Sequence, residues 1–86
     1  MRLPDQNIEA EQSLIASLLL NNKLFDHCEF VKPEEFYRAD HQLFFKTISQ
    51  MRREGLEIDL VTLGEELKKQ GELTKPRVLY LSKLVE

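Results

Sequence analysis

Apolar residues in this chain recur every three to four positions, and each such stretch is cut short by asparagine, glycine or proline. That spacing places them on one side of an α-helix, and a helix so interrupted cannot grow long. The first stripe is Ile8, Leu14, Ile15, Leu18 and Leu19; Asn7 is placed to cap it and Asn21-Asn22 to end it near Leu20. A short second helix is predicted from about Lys23 to Phe30, stopped by Lys32-Pro33 because the residue before proline is pushed out of the helical region. Pro33-Glu34-Glu35-Phe36 reads as a single turn with acids at its positive end. A longer helix follows from about Ala39 to Glu54, with His41, Phe44, Phe45, Ile48 and Met51 on one face and Gly55 as its stop.

Asp59 or Thr62 can cap the next helix, since Thr62 and Glu65 also have capping-box spacing; Leu60, Leu63 and Leu67 form its face and Gly71 ends it near Gln70. Gly64, inside this helix, reads as a point of close packing. Thr74 caps a last helix from about Lys75, with Val78, Leu81 and Val85 on one side and Tyr80 and Leu84 widening it. Pro4 to Gln6 reads as an extended lead-in. No useful segment alternates with period two, so the fold class is all-α: a compact bundle of about five or six short helices forming one domain over 1–86. The chain stops at Glu86 while its last helix is still apolar, which suggests a fragment of a longer protein.

With 42% apolar and 31% charged residues the chain is globular, and no stretch approaches the roughly 20 apolar residues of a membrane span. Its start lacks the apolar region of a signal peptide. The net charge is −3, and the cations are scattered apart from Arg52-Arg53 and Lys68-Lys69, each at a predicted helix end where it suits the dipole. Nucleic-acid binding by a basic face is therefore disfavoured. The lone cysteine, Cys28, cannot form an internal disulfide and fits a reducing, cytoplasmic setting. There is no phosphate loop and no dinucleotide turn, and His27, Cys28 and His41 are too few for a structural zinc site. A Cys28–His41 nucleophilic pair is conceivable, but nothing in the sequence brings the two together. No catalytic, cofactor-binding or metal-ligating residue is assigned.

Two polar residues sit in apolar stripes: Glu11 between Leu18 and Ile15 in angle, and His41 between Phe44 and Phe45. A carboxylate and an imidazole facing a core each need a partner. Glu11 is accordingly expected to pair with Arg38 or His41 and pin the first helix to the start of the long one; otherwise it lies at the stripe's edge and serves only the helix dipole. Phe25, Phe30, Tyr37, Met51 and Tyr80 are candidate interface anchors, with ordinary core packing as the alternative, above all for Phe25, Phe30 and Met51. Tyrosine suits a half-wet rim.

Three stretches together resemble one family. Asn7-Ile8-Glu9-Ala10-Glu11-Gln12 with Leu14-Ile15 and Ser17-Leu18-Leu19, then Pro33-Glu34-Glu35-Phe36-Tyr37-Arg38 with Ala39-Asp40-His41 and Phe44-Phe45, then Ile58-Asp59-Leu60-Val61-Thr62-Leu63 with Glu66-Leu67, are similar in order and spacing to the amino-terminal head of DnaB-type replicative helicases. Thr74-Lys75-Pro76-Arg77 departs from the Gly-containing turn common there. The resemblance implies a non-catalytic head that pairs with other copies of itself, forms a collar on a hexameric ring and receives the carboxy-terminal domain of primase within a primosome. ATP, Mg and DNA would be handled by a motor domain beyond this sequence, reached through a helical hairpin and a linker. The isolated head is expected to be a monomer or a weak dimer. Two other classes stay open: a small helical nucleic-acid-binding domain, and a phage- or plasmid-borne or free-standing regulator built on the same head.

Overall fold

A computed structural model describes residues 7–85, so the expected lead-in at Pro4 to Gln6 lies outside the described residues. Among these residues the chain forms helices and turns with no strand: α1 (Ile8–Leu20), a 3₁₀ segment (Asn22–His27), a 3₁₀ turn (Pro33–Glu35), α2 (Ala39–Arg53), α3 (Leu60–Lys69) and α4 (Lys75–Leu84). The helices begin where side-chain oxygens meet free amides. Asn7 accepts from the Ala10 amide, and Thr74 accepts from the Arg77 amide. Between the two caps that α3 could have used, Asp59 is the one occupied. Its carboxylate accepts from the Thr62 amide at 2.8 Å, and the Thr62 hydroxyl accepts from the Asp59 amide at 2.9 Å. Asp59 and Thr62 thus close one reciprocal box, which leaves no role for a second box at Glu65. Gly55 and Gly71 follow α2 and α3 with φ of 72° and 73°, the left-handed turn that an L-residue with a β-carbon resists.

The second predicted helix is corrected in type and extent. It is a 3₁₀ segment that ends at His27, with Cys28 as its cap. Asn21 accepts from the Lys23 amide and starts this tight turn directly after α1. Phe25 turns inward and stacks on Phe45 with ring centroids 5.9 Å apart. Phe30 lies beyond the segment and is 81% exposed, so it is not a core residue.

The core forms where the stripes meet. Leu14, Ile15, Leu18 and Leu19 of α1, Phe44, Phe45, Ile48 and Met51 of α2, Leu63 and Leu67 of α3, and Leu81 and Leu84 of α4 are buried together. Helix α1 packs on α2 and α4, and α3 packs on α2 and α4, so the four helices close a ring of contacts. Phe36, just before α2, sits among Phe45 at 5.0 Å and the edge of His41 at 6.3 Å. Asn22 ties the ring elsewhere. Its amide group donates to the Leu18 and Ile58 carbonyls, and its carbonyl accepts from the Ile58 amide. The residue read as a helix stop is therefore also a cross-link to the lead-in of α3.

Two sequence expectations fail on α3 and α4. Val78 is exposed, because α4 turns Leu81 and Leu84 inward and leaves Val78 on its rim. Gly64 does not mark a close approach: a β-carbon there would meet nothing within 4 Å. A mid-helix glycine with open space beside it costs backbone entropy without a packing return. Gly64→Ala should therefore raise the unfolding free energy by about 0.5–1 kcal/mol, whereas Asp59→Ala should lower it by about 1 kcal/mol. Urea denaturation followed by far-UV circular dichroism checks both signs; a destabilised Gly64→Ala would mean that the space beside it is filled.

Candidate functional site

The polar centre of the molecule is assembled from three helices and one loop. Glu11, in the first turn of α1, and His41, in the first turn of α2, are both fully buried. The first turn of each helix leaves amides unpaired, and here those ends face each other across the core. His41 Nδ1 lies 2.7 Å from Glu11 Oε1, and His41 Nε2 lies 2.5 Å from the Tyr80 hydroxyl on α4. The Tyr37 and Arg38 amides, just ahead of α2, donate to Glu11 Oε2 at 2.6 Å and Oε1 at 3.3 Å. The Gln12 side-chain amide donates to the Tyr80 oxygen at 2.9 Å.

One assignment of protons satisfies every member. Gln12 donates to Tyr80, Tyr80 donates to His41 Nε2, His41 donates through Nδ1 to Glu11, and the ionised Glu11 accepts from two backbone amides as well. No buried side-chain nitrogen or oxygen among the described residues is left without a partner. Burial alone would push the Glu11 carboxyl upward, but the bonds from Tyr37, His41 and Arg38 outweigh it and hold the group below its ordinary range. Burial pulls the His41 imidazole down, and the neighbouring Glu11 offsets only part of that, so the ring is neutral near pH 7.

A second network wraps the outside of this centre. Arg38 sends its guanidinium to Asp40 at 2.9 Å and lies over the Tyr80 ring at 4.0 Å from the centroid. Arg77 also reaches Asp40, at 3.0 Å, and bridges to Glu72 at 2.8 Å. The two guanidinium groups hold the Asp40 carboxyl below its usual value against the upward pull of burial. These partly exposed pairs are individually weak. Their effect is to cover Tyr80 and to tie the start of α4 to the start of α2.

The sequence-predicted residues are thus distributed as follows. Glu11 and His41 touch directly. Arg38 reaches Glu11 through its backbone amide and not its guanidinium, which is drawn to the nearer Asp40. Phe25 and Met51 are buried in the core and are removed from the interface candidates: Phe25 is taken by Phe45, and Met51 lies on the inner face of α2. Phe30 and Tyr37, with side chains in solvent, remain surface candidates, while Tyr80 is half-buried and committed to His41. A Cys28–His41 pair does not form, because both His41 nitrogens are engaged elsewhere and Cys28 is a separate buried thiol whose titration burial pushes up. Sequence reasoning missed Tyr80 as the third member, together with Asp40, Arg77 and Glu72. A count of His41's two nitrogens against the single contact offered by Glu11 was the available signal for a further hydroxyl.

A carboxylate, an imidazole and a hydroxyl in line are the parts of a proton relay. Here Arg38 lies over the tyrosine ring, the hydroxyl is engaged by Gln12 and His41, and the clefts described are lined by other side chains. The members of the relay come from α1, α2 and α4, so it acts as a pin between these helices. Among the described residues no three or more His, Cys, Asp or Glu side chains converge as metal ligands, and no helix is long and apolar enough to cross a membrane.

The pin dictates a pH response. His41 is depressed in the folded state, so its contribution is complete above the unfolded value of 6.5 and is lost as pH falls through the folded value. Glu11, also depressed, adds a second loss below 4.5. Unfolding free energy should therefore fall on acidification from about pH 6.5, and His41→Gln should flatten the upper part of that slope. Glu11→Ala should cost roughly 3–5 kcal/mol, because it leaves two backbone amides and a neutral imidazole N–H unpaired in the core at about 1–3 kcal/mol each, and Tyr80→Phe about 1–2 kcal/mol. Urea titrations across the pH range measure all three; variants indistinguishable from the parent would show that the pin carries no stability.

Comparison with known proteins places relatives beside this geometry. The sequence model of a family described as "DnaB-like helicase N terminal domain" matches residues 3–86. The protein named replicative DNA helicase DnaB from Geobacillus stearothermophilus is 38% identical over 99% of this chain, which spans 19% of that relative. The DnaB of Buchnera aphidicola subsp. Schizaphis graminum is 36% identical over 98% of the chain and 18% of the relative. The crystal structure of the N-terminal domain of DnaB helicase from Mycobacterium tuberculosis superposes with a TM-score of 0.83 at 32% identity, covering 96% of this chain and 59% of that one. The chain thus spans less than a fifth of the length of these two helicase relatives.

Proposed function

The chain belongs to the DnaB-like helicase N terminal domain family, and on that footing we propose that it is the non-catalytic head of a replicative DNA helicase, acting in DNA replication by pairing with other heads and docking primase. Strand separation and ATP hydrolysis are assigned in this reading to a motor region that the 86 residues do not contain. One observation carries the proposal. The interior is fully occupied by apolar packing and a closed hydrogen-bond chain, whereas large apolar side chains remain outside it: Leu20, Phe30, Tyr37, Val61 and Leu79 are all exposed. With no unpartnered buried side-chain nitrogen or oxygen among the described residues and several aromatic and aliphatic groups outside, the domain is equipped to bury surface against other proteins.

Phe30 and Tyr37 flank the 3₁₀ turn Pro33–Glu35 and stand on the same connection between α1 and α2. Each offers a ring that is not used by the fold, the kind of side chain that dominates docking energy. A contact through a single surface below roughly 1,000 Å² is weak, and the expectation for the isolated chain is accordingly weak self-association. Sedimentation equilibrium should return a monomer, or a dimer in rapid exchange; a tight hexamer would contradict this. Calorimetric titration with the carboxy-terminal domain of the cognate primase should show saturable binding that Phe30→Ala and Tyr37→Ala together weaken by about 2 kcal/mol or more. Absence of any binding heat in the parent chain at two temperatures would remove primase docking from the proposal.

A further inference from the structure

A cleft of about 590 Å³ among the described residues plays no part in the polar pin. Its floor is apolar: Phe25, Cys28, Val31 and Phe45 lie at its base, with Pro33 at one side. Its walls are cationic. Lys46, Ser49 and Arg53 line the cleft at helical spacing along α2; Lys32 joins them from the loop before the 3₁₀ turn, and the Arg52 guanidinium lies over the Phe25 ring. Glu29 is the only acidic residue in the lining. Four cations thus meet on one cleft of a chain whose net charge is −3. The ion pairs among the described residues use Arg52, which binds Asp26, but not Lys32, Lys46 or Arg53.

We propose that this cleft is a docking site for an acidic segment of a partner protein that also carries apolar side chains. Charge complementarity supplies the sign of the occupant: Lys32, Lys46 and Arg53 are exposed and take part in none of the ion pairs among the described residues, so they are free to meet carboxylates. The apolar floor supplies the second half of the pattern, because a purely charged strand would leave Val31, Pro33 and the ring edges uncovered. Nucleic acid fits less well. A single strand is held by free aromatic faces and a basic track that extends along the backbone, but Phe25 is already stacked on Phe45 and covered by Arg52, and the surface carries net negative charge overall. Lys46 and Arg53 are seven residues apart, about 10 Å along the helix, a span that a short peptide bridges with two carboxylates.

The test is fluorescence anisotropy of the whole 86-residue chain with a short fluorescein-labelled peptide of repeating Glu-Glu-Leu, with circular dichroism confirming that each variant is folded. Binding should saturate and weaken with added salt. Lys46→Gln with Arg53→Gln should weaken it by at least about tenfold. Lys68→Gln with Lys69→Gln, the same change of charge on α3, should leave it within about twofold. Three results would overturn the proposal: no saturable binding, an equal loss in both variant pairs, or equal affinity for a peptide whose leucines are replaced by serine. Tighter binding of a labelled single-stranded oligonucleotide, lost in the same α2 variant, would overturn it in favour of nucleic-acid docking.

Discussion

An ionised carboxylate placed where no water reaches it must be surrounded by donors, and Glu11 is the point from which the rest of this structure is arranged. Its donors come from separate places: an imidazole in the first turn of α2 and two amides of the chain just before it. The imidazole in turn needs a hydroxyl, which only α4 supplies. Satisfying one charge therefore fixes three helices relative to one another, although the apolar stripes of those helices would accept several registers. Interlocking leucines and phenylalanines supply most of the burial energy, and the hydrogen-bond chain selects which arrangement receives it.

The same logic explains the outer shell. Tyr80 reaches His41 only if α4 begins at a particular height against α2. Arg77 and Arg38 both close on Asp40 and set that height from outside. Arg38 also shields the tyrosine ring from solvent, which keeps the hydroxyl in a region where its bond to His41 is strong. A surface ion pair is worth little alone, but pairs that hold the lid of a buried chain act through what they cover.

Much of the fold could be read from the residues. Cap positions at Asn7, Asp59 and Thr74, stops at Gly55 and Gly71, and the inner faces of α1 and α2 follow from local chemistry that tertiary contacts do not override. The direct contact between Glu11 and His41 was legible because each broke an apolar stripe. Three other features were not. The 3₁₀ geometry of Asn22–His27 arises because Asn21 caps a new turn immediately after ending the old one, and periodicity cannot separate a tight turn from an α-helix over six residues. Val78 was misread as part of an inner face, and Phe30 was left open between core and surface, because one residue near an element's end can face either way. Tyr80 was seen as a rim residue, since its partner lies 39 positions away and no local pattern announces it.

Helix α2 shows how a domain this small divides its labour. Its N-terminal turn holds His41 against α1 and α4, its inner face carries Phe44, Ile48 and Met51 into the core, and its C-terminal half turns Lys46 and Arg53 to solvent. A helix has room for all three because successive residues point about 100° apart. The separation has an energetic consequence. The residues that stabilise the fold are mostly inside or at the N-terminal end, so Lys46 and Arg53, which make no ion pair among the described residues, can change without removing a buried hydrogen bond. Cations at the end of α2 also suit the helix dipole, and stability alone would therefore tolerate them there. It does not account for Lys32, which lines the same cleft from a loop and not from the end of α2. Exposed cations from separate elements that line one apolar cleft repel one another weakly, and a negatively charged occupant would turn that repulsion into attraction.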